Sequence, residues 1–408
     1  MTISTCNNTQ AIYSGNKIQE KQNVFQGCSA VSKTIIHICH VFPTFAAGGP
    51  QVMVTNILNA LPKNFRHTII AVDGDFSAVN RIASHVQFST VTPPHCKFPP
   101  LLPIQFTQQI RALNPDLLVT QGWNSIDAVL GAPIGPRRRW IHMETGFEAE
   151  EAKQFKLRRI ILRRILLRRA KVVLVPSMQL ESIAKRLWRV KDKQLQRISN
   201  GVDVERFQPG SSNALRQELG IKSSDIVVGT VANLRPVKDP LRLLEAFYAA
   251  SKEIPHIHLI YAGDGEMKHA IEMRTSELGL QNRVHLLGNV KDTAPVHRLF
   301  DIFALSSLSE QGPISLIEAM SSGKPVVSTE VGDISNMVSI PNKPFIVSRS
   351  ENAAFSKALV KLLSDADLRR EIGKANRARV LHEFKASTTI EAYQSLYERV
   401  ALDQTHPI

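Results

Sequence analysis

The chain has 408 residues, 43% of them hydrophobic and 21% charged, with a formal net charge of +14 at pH 7. This length exceeds the roughly 250–300 residues at which one core stops growing, so two domains are expected, and the composition excludes a disordered or fibrous chain. No apolar run reaches the roughly 18 residues of a spanning helix, and the four cysteines (Cys6, Cys28, Cys39, Cys96) lack metal-ligand or CxxC spacing, so reduced thiols and a cytoplasmic setting are expected.

Residues 1–33 are polar, rich in Asn, Gln, Ser and Thr, and read as a disordered leader rather than a secretory signal. From residue 34 apolar runs alternate with helical patterns in a βαβ rhythm, which implies parallel sheets covered on both faces. Residues 34–42 (TIIHICHVF) form the first predicted strand, followed by a helix from about residue 50 to 61. Further strands are predicted at 68–73, 116–121, 139–142 and 171–176. The rhythm pauses at 199–210 (SNGVDVERFQPG), a turn-rich stretch suited to a hinge. It resumes with strands at 225–232, 256–262, 284–287, 301–306, 325–328 and 344–347, and a helix at 239–250. The expected organisation is an N-terminal Rossmann-like domain over 34–200, a C-terminal one over 201–385, and a closing helix and tail over 386–408.

The basic excess sits in the first half. Residues 1–200 carry 26 Lys/Arg against 11 Asp/Glu, residues 201–408 carry 24 against 25, and residues 134–200 alone carry 18 against 6. This region is therefore expected to meet an anionic partner. Within it, 155–171 (FKLRRIILRRILLRRAK) places arginine pairs at 158/159, 163/164 and 168/169. A five-residue step advances about 140° net around a helix, so charged and apolar residues both spiral and no clean face is expected. Two readings stay open: a core helix with snorkelling arginines, or a helix resting on an anionic membrane surface. Nucleic-acid binding has no aromatic interleaving or recognisable module to support it.

Four segments carry candidate chemistry. Ser309-Glu310-Gln311-Gly312-Pro313-Ile314-Ser315-Leu316-Ile317-Glu318 follows a predicted strand, with Pro313 at the first helical position. Free N–H groups around Gly312, Ile314 and Ser315 then make an anion site reinforced by the helix dipole. Glu310 and Glu318 flank it as acceptors for sugar hydroxyls. Arg235 and Lys238 lie in residues 232–239 (ANLRPVKD), a strand-to-helix junction where fixed cations stabilise a leaving diphosphate. Gly48-Gly49 opens the first helix without the GxGxxG dinucleotide fingerprint. His142, and more weakly Glu144, ends a strand in Trp140-Ile141-His142-Met143-Glu144. Each segment alone also fits a plain structural role. Asp73-Gly74-Asp75 has an Asp-x-Asp form, but it closes an N-terminal strand far from the other motifs, and no metal role is expected for it.

In this order the segments resemble the Glu-x7-Glu motif and its surroundings in family-four retaining glycosyltransferases. Glu310 and Glu318 stand as the two carboxylates, and Ala319-Met320, Gly323-Lys324-Pro325 and Val331-Gly332 agree as well. The resemblance implies the GT-B fold, two Rossmann-like domains facing a central cleft. It implies that Glu310 contacts the transferred sugar and Glu318 the donor ribose. Arg235 and Lys238 would hold the diphosphate, with Gly312, Pro313 and Ile314 framing the phosphates. Gly48 and Gly49 would approach donor and acceptor, and His142 would meet the sugar from across the cleft. The chain departs from many relatives in placing Gln311 directly after Glu310, and Asn233 where an Arg is common. The implied activity is transfer, with retention and without metal or cofactor, from a UDP- or GDP-sugar donor to a polysaccharide or lipid-linked saccharide acceptor. A nucleotide-sugar epimerase or phosphorylase of the same fold, and a non-catalytic membrane-surface binding protein, are the rival readings; an epimerase would turn over donor alone.

Overall fold

The computed structural model describes residues 35–46, 48–94, 101–130, 139–146 and 156–403. The predicted leader, Cys6, Cys28, Cys96 and Phe155 lie outside them. Seven strands form the first sheet: β1 (Ile36–Phe42), β2 (Phe65–Ala71), β3 (Gln87–Thr90), β4 (Leu117–Gln121), β5 (Trp140–Met143), β6 (Val172–Val175) and β7 (Leu195–Arg197), in the order β3-β2-β1-β4-β5-β6-β7. Six form the second: β8 (Ile226–Val231), β9 (Ile257–Ala262), β10 (Val284–Leu286), β11 (Ile302–Leu305), β12 (Val326–Thr329) and β13 (Ile346–Val347), in the order β10-β9-β8-β11-β12-β13. Every pairing of named strands is parallel. The two-domain Rossmann-like architecture expected from the βαβ rhythm is thus present. The sequence reading missed β3 and β7, both short, polar edge strands without an apolar run.

In each sheet the chain lays strands outward in one direction and then returns to the middle to build the other side. The reversals fall between β1 and β4 and between β8 and β11. Loops leaving the carboxyl ends of such strand pairs diverge and open a crevice, the place where ligands bind in this architecture. Both faces are covered, as parallel sheets require. Ile36, Ile38 and Phe42 of β1 pack with Val54, Ile57 and Leu58 of the helix Gly49–Ala60. The alternate residues Cys39 and Val41 pack with Ile70 and Phe106 on the opposite face.

The chain crosses between the halves twice. The predicted hinge supplies one crossing. The other leads into the helix Ala386–Ala401, whose Tyr393, Leu396, Tyr397 and Val400 join the core of the first sheet. The crossings pair side by side, with Val202 N–H donating to Phe384 O and Ala386 N–H to Val202 O, each 2.9 Å. A side chain at Gly201 has no room, because its Cβ would stand 2.7 Å from Lys385 O.

The basic helix, Leu157–Leu166, does acquire two distinct faces. Arg163 is fully buried, donates to Glu144 Oε2 at 3.1 Å, and lies 4.8 Å and 5.0 Å from the ring centroids of Trp123 and Trp188. Arg159 is also buried, 5.4 Å from Trp123. The outer face carries Leu157, Ile161 and Ile165, which are 69%, 45% and 53% exposed. The arginines at 159 and 163 therefore do not snorkel. They are solvated by aromatic faces and a carboxylate.

Two buried histidines are expected to make the first sheet acid-sensitive. His40 Nε2 and His67 Nδ1 lie 3.2 Å apart between β1 and β2. Burial, then the neighbouring histidines, pushes both rings down, His67 to about 4 and His40 well below its ordinary value. The folded state binds these protons more weakly than the unfolded chain, so their contribution to stability is intact above pH of about 6.5 and is lost on acidification towards about 4. Each histidine should lower the unfolding free energy by about 1.4 kcal/mol per pH unit inside that window. Urea melts at pH 7, 5.5 and 4.5 should show this slope, and His67→Asn should flatten it.

Candidate active site

β8 and β11 are neighbours, so the loops leaving them meet. After β8 the chain makes a 3-10 turn at Pro236–Lys238. Leu308 N–H, from the loop after β11, donates to Val237 O at 2.8 Å, and Ser306 Oγ donates to Lys238 O and Asp239 O at 3.1 Å and 2.8 Å. Stitched in this way, the turn delivers Lys238 Nζ to 2.6 Å from Glu310 Oε1. Ser307 Oγ donates to the same oxygen at 2.6 Å. Glu310 is 8% exposed, and burying a carboxylate this far is costly unless fixed donors hydrogen-bond to it. Among the described residues nothing donates to its Oε2, which leaves that oxygen as an acceptor for a ligand hydroxyl.

Four residues on, the helix Ile314–Ser321 begins. Pro313 is its cap rather than its first residue, with φ −65° and an extended ψ of 117°. No side chain caps the helix, so the first-turn N–H groups of Ile314, Ser315 and Leu316 face outward as orphan donors at the positive end of the dipole. Glu318, inside the helix, accepts from the buried His297 Nε2 at 3.0 Å. His297 is boxed by Phe207, Phe300 and Phe303, with ring centroids 5.7–5.8 Å away. Sequence reading missed both Ser307 and His297. Ser307 had a faint signal as a polar residue directly after an apolar strand; His297 had none.

The structure therefore joins Lys238, Glu310 and the helix start. Arg235 lies in the same loop, but its side chain is exposed and makes no hydrogen bond among the described residues. The Gly263-Asp264-Gly265 turn supports that loop, with Leu234 N–H donating to Asp264 O at 2.8 Å and Met267 N–H to Leu234 O at 2.9 Å.

In the first half, Gly48 caps the helix Gly49–Ala60 at the carboxyl end of β1. A Cβ on Gly49 would meet nothing within 4 Å, so the fold itself does not require glycine there. His142 is not brought to this crevice. It is fully buried, its Nδ1 2.9 Å from Thr120 Oγ1, which also accepts from Trp140 Nε1 at 2.8 Å. Its Nε2 faces Glu144 Oε2 at 3.8 Å, and no contact links it to Lys238 or Glu310 among the described residues. The residue of this segment that meets the Glu310 loop is Gly146, whose added Cβ would lie 3.6 Å from Gln311 Cγ. Asp73 and Asp75 serve their own turn: Asp73 Oδ1 accepts from Asp75 N–H at 2.9 Å and Asp75 Oδ1 from Ser77 N–H at 2.8 Å.

The two halves match two families that occur in this order. Residues 47–206 match Glycosyltransferase Family 4, and residues 211–379 match Glycosyl transferases group 1. The chain belongs to the group 1 glycosyltransferases.

Among curated relatives of this family, the chain is 26% identical over 266 residues to UDP-Gal:alpha-D-GlcNAc-diphosphoundecaprenol alpha-1,3-galactosyltransferase of Escherichia coli, covering 63% of this chain and 68% of that one. It is 26% identical over 212 residues to N-acetyl-alpha-D-glucosaminyl L-malate synthase of Bacillus anthracis, covering 52% and 55%. The chain spans about half the length of most curated relatives it matches. A solved structure of HepE from Anabaena in complex with UDP-glucose superimposes with a TM-score of 0.74 at 21% identity, over 90% of this chain and 100% of that one. At that identity the likeness shows the GT-B fold alone.

The ion pair at the heart of this group 1 site is open to a direct test. Lys238→Met leaves the buried Glu310 carboxylate with Ser307 alone and should lower the unfolding free energy by about 1–3 kcal/mol. Adding Glu310→Gln to that variant should recover part of the loss, so a double-mutant cycle by urea denaturation should return a coupling of about 1 kcal/mol or more.

Proposed function

We propose that the protein is a retaining, metal-independent glycosyltransferase, moving a sugar from a UDP- or GDP-sugar to a polysaccharide or lipid-linked saccharide. The observation that carries this reading is the Lys238–Glu310–Ser307 cluster beside the uncapped start of the helix Ile314–Ser321. A nucleoside diphosphate needs fixed positive charge as its bond to the sugar breaks; the helix start, Lys238 and the freely extending Arg235 supply it. Glu310 is held by two donors on one oxygen, a state suited to orienting a sugar hydroxyl through the other. Attack then comes on the face from which the diphosphate departs, and a phosphate oxygen takes the acceptor's proton. The UDP-glucose complex of HepE and the UDP-galactose donor named for the Escherichia coli relative support a nucleotide-sugar donor.

The assay is sugar release from UDP- and GDP-sugars, with and without saccharide acceptors, in excess EDTA. Activity should persist in EDTA and need acceptor. Glu310→Ala should lower kcat, and Glu318→Ala should raise the donor KM, each by roughly 10- to 150-fold, the value of a charged hydrogen bond. Dependence on added manganese, or donor turnover without acceptor, would count against the reading.

The proposed setting is cytoplasmic, peripheral on an anionic membrane face. Among the described residues no helix is long and apolar enough to cross a membrane. The support is the outer face of Leu157–Leu166, where Leu157, Ile161 and Ile165 stand exposed at four-residue spacing beside the exposed Arg158, Arg168 and Arg169. Apolar side chains can enter the headgroup region while these arginines, worth about 1 kcal/mol each at an anionic surface, meet phosphates. Changing the three apolar residues to Ser should abolish co-sedimentation with anionic vesicles and leave transfer to a soluble acceptor intact. Binding by the parent chain should fall steeply with salt.

A further inference from the structure

We infer that Asp333 is a positioning residue that anchors the Glu310 loop to the other half of the molecule; the turnover it affects is the one proposed above. The helix Met178–Arg186 follows β6 in the first half, and its first N–H groups have no partners within the helix. Ser177 Oγ takes the N–H of Leu180 at 3.1 Å. The N–H groups of Met178 and Gln179 go instead to the carboxylate of Asp333, from the loop after β12 in the second half, the latter at 3.1 Å. A helix of one half is thus capped by a carboxylate of the other, with the charge at the favourable end of the dipole. Asp333 is 8% exposed, so the contact is shielded from the solvent screening that weakens surface pairs.

The residue before it connects this cap to the site. Gly332 has φ +60° and lies so close to Glu310 that a Cβ would stand 2.1 Å from the Glu310 carbonyl oxygen. The Gly332 and Glu310 backbones are thus in direct contact, and the position of Asp333 bears on that of the Glu310 loop. Two further contacts hold the same loop: Asn200 Nδ2 donates to Gly312 O at 2.8 Å, and Ile314 packs against both sheets' cores. A cavity of about 350 Å³ opens beside them, lined in part by Met178, Asn200, Gly312 and Asp333, so the halves meet here through discrete contacts. The Glu310 side chain is fixed within the second half by Lys238 and Ser307, while its backbone is fixed by the first half through Asp333. Glu318 and His297 both belong to the second half, so the expected loss falls on turnover more than on nucleotide affinity.

Two variants break the contact from opposite sides. Asp333→Ala removes the acceptor. Met178→Pro removes one donor at a 50% exposed first helical position, where proline is favoured and where the preceding Ser177 is already extended at φ −136° and ψ 153°. The full-length chain is compared for UDP affinity by calorimetry, for UDP release from a panel of UDP-sugars with acceptor, and for radius of gyration by small-angle X-ray scattering. Each variant is expected to lose roughly tenfold in kcat with UDP affinity within about twofold of the parent. Each should also have a larger radius of gyration, and the double variant should fall no further than Asp333→Ala. Asp333→Asn, which keeps one acceptor oxygen, should recover part of the rate. A folded Met178→Pro or Asp333→Ala protein with parental kcat, or losses that multiply in the double variant, would overturn the assignment. If the parent chain itself neither binds UDP nor turns over any UDP-sugar, the donor reading fails on its own. The scattering comparison then decides the anchor, and an unchanged radius of gyration in both variants refutes it.

Discussion

The burial of one carboxylate organises the second half of this molecule. Burying the Glu310 carboxylate to 8% exposure is costly unless it is paired, and Lys238 and Ser307 are delivered to it within hydrogen-bond distance. Neither donor is near it on the helix that follows; one comes from the loop after β8 and one from the loop after β11. Those loops adjoin because the sheet reverses its direction of growth between these two strands. Beside them, no side chain caps the start of the helix Ile314–Ser321. Topology thus brings the cation–carboxylate pair together, four residues along the chain from an uncapped helix start.

The parts legible in the sequence were those governed by local pattern. The apolar runs of 34–42 and 225–232 gave strands because parallel strands buried on both faces cannot be polar. Glu310, Glu318 and Lys238 were recognisable because a loop, a helix start and their spacing lie within one contiguous stretch each. Pairings across distant segments had no such signature. His297 lies 21 residues before Glu318 in an unremarkable helix, and its meaning comes from the phenylalanines around it. The burial of His142 was not legible in its sequence. Its side chain is fully buried beside Trp140, and the chain must leave the strand, at Gly146, before it meets the Glu310 loop.

The basic segment shows a different limit. Its charge excess was plain, but a helical projection counts residues without knowing what they pack against. Arg163 is accommodated in the interior because Trp123, Trp188 and Glu144, all remote in sequence, make a site in which a guanidinium loses little by leaving water. With two arginines turned inward, Leu157, Ile161 and Ile165 are forced outward. The outer apolar face is a consequence of the inner arginine site, and either alone would make a poorly amphipathic sequence.

The two halves divide the work unequally, and the division has a chemical rationale. On the proposed reading the groups that hold the donor, Lys238, Glu310, Glu318 and the helix start, all belong to the second half. The backbone of the Glu310 loop, by contrast, is shared: Asp333, Asn200 and Ile314 tie it to the first half. The two crossings between the halves are themselves paired at Val202 and Lys385, so the connections lie side by side. On the proposed reaction, the sugar is oriented for transfer only when the halves are engaged, which is also when water is excluded from the crevice. An enzyme whose donor is as easily hydrolysed as transferred gains from this arrangement, since the orientation of the sugar depends on the same engagement that keeps water out.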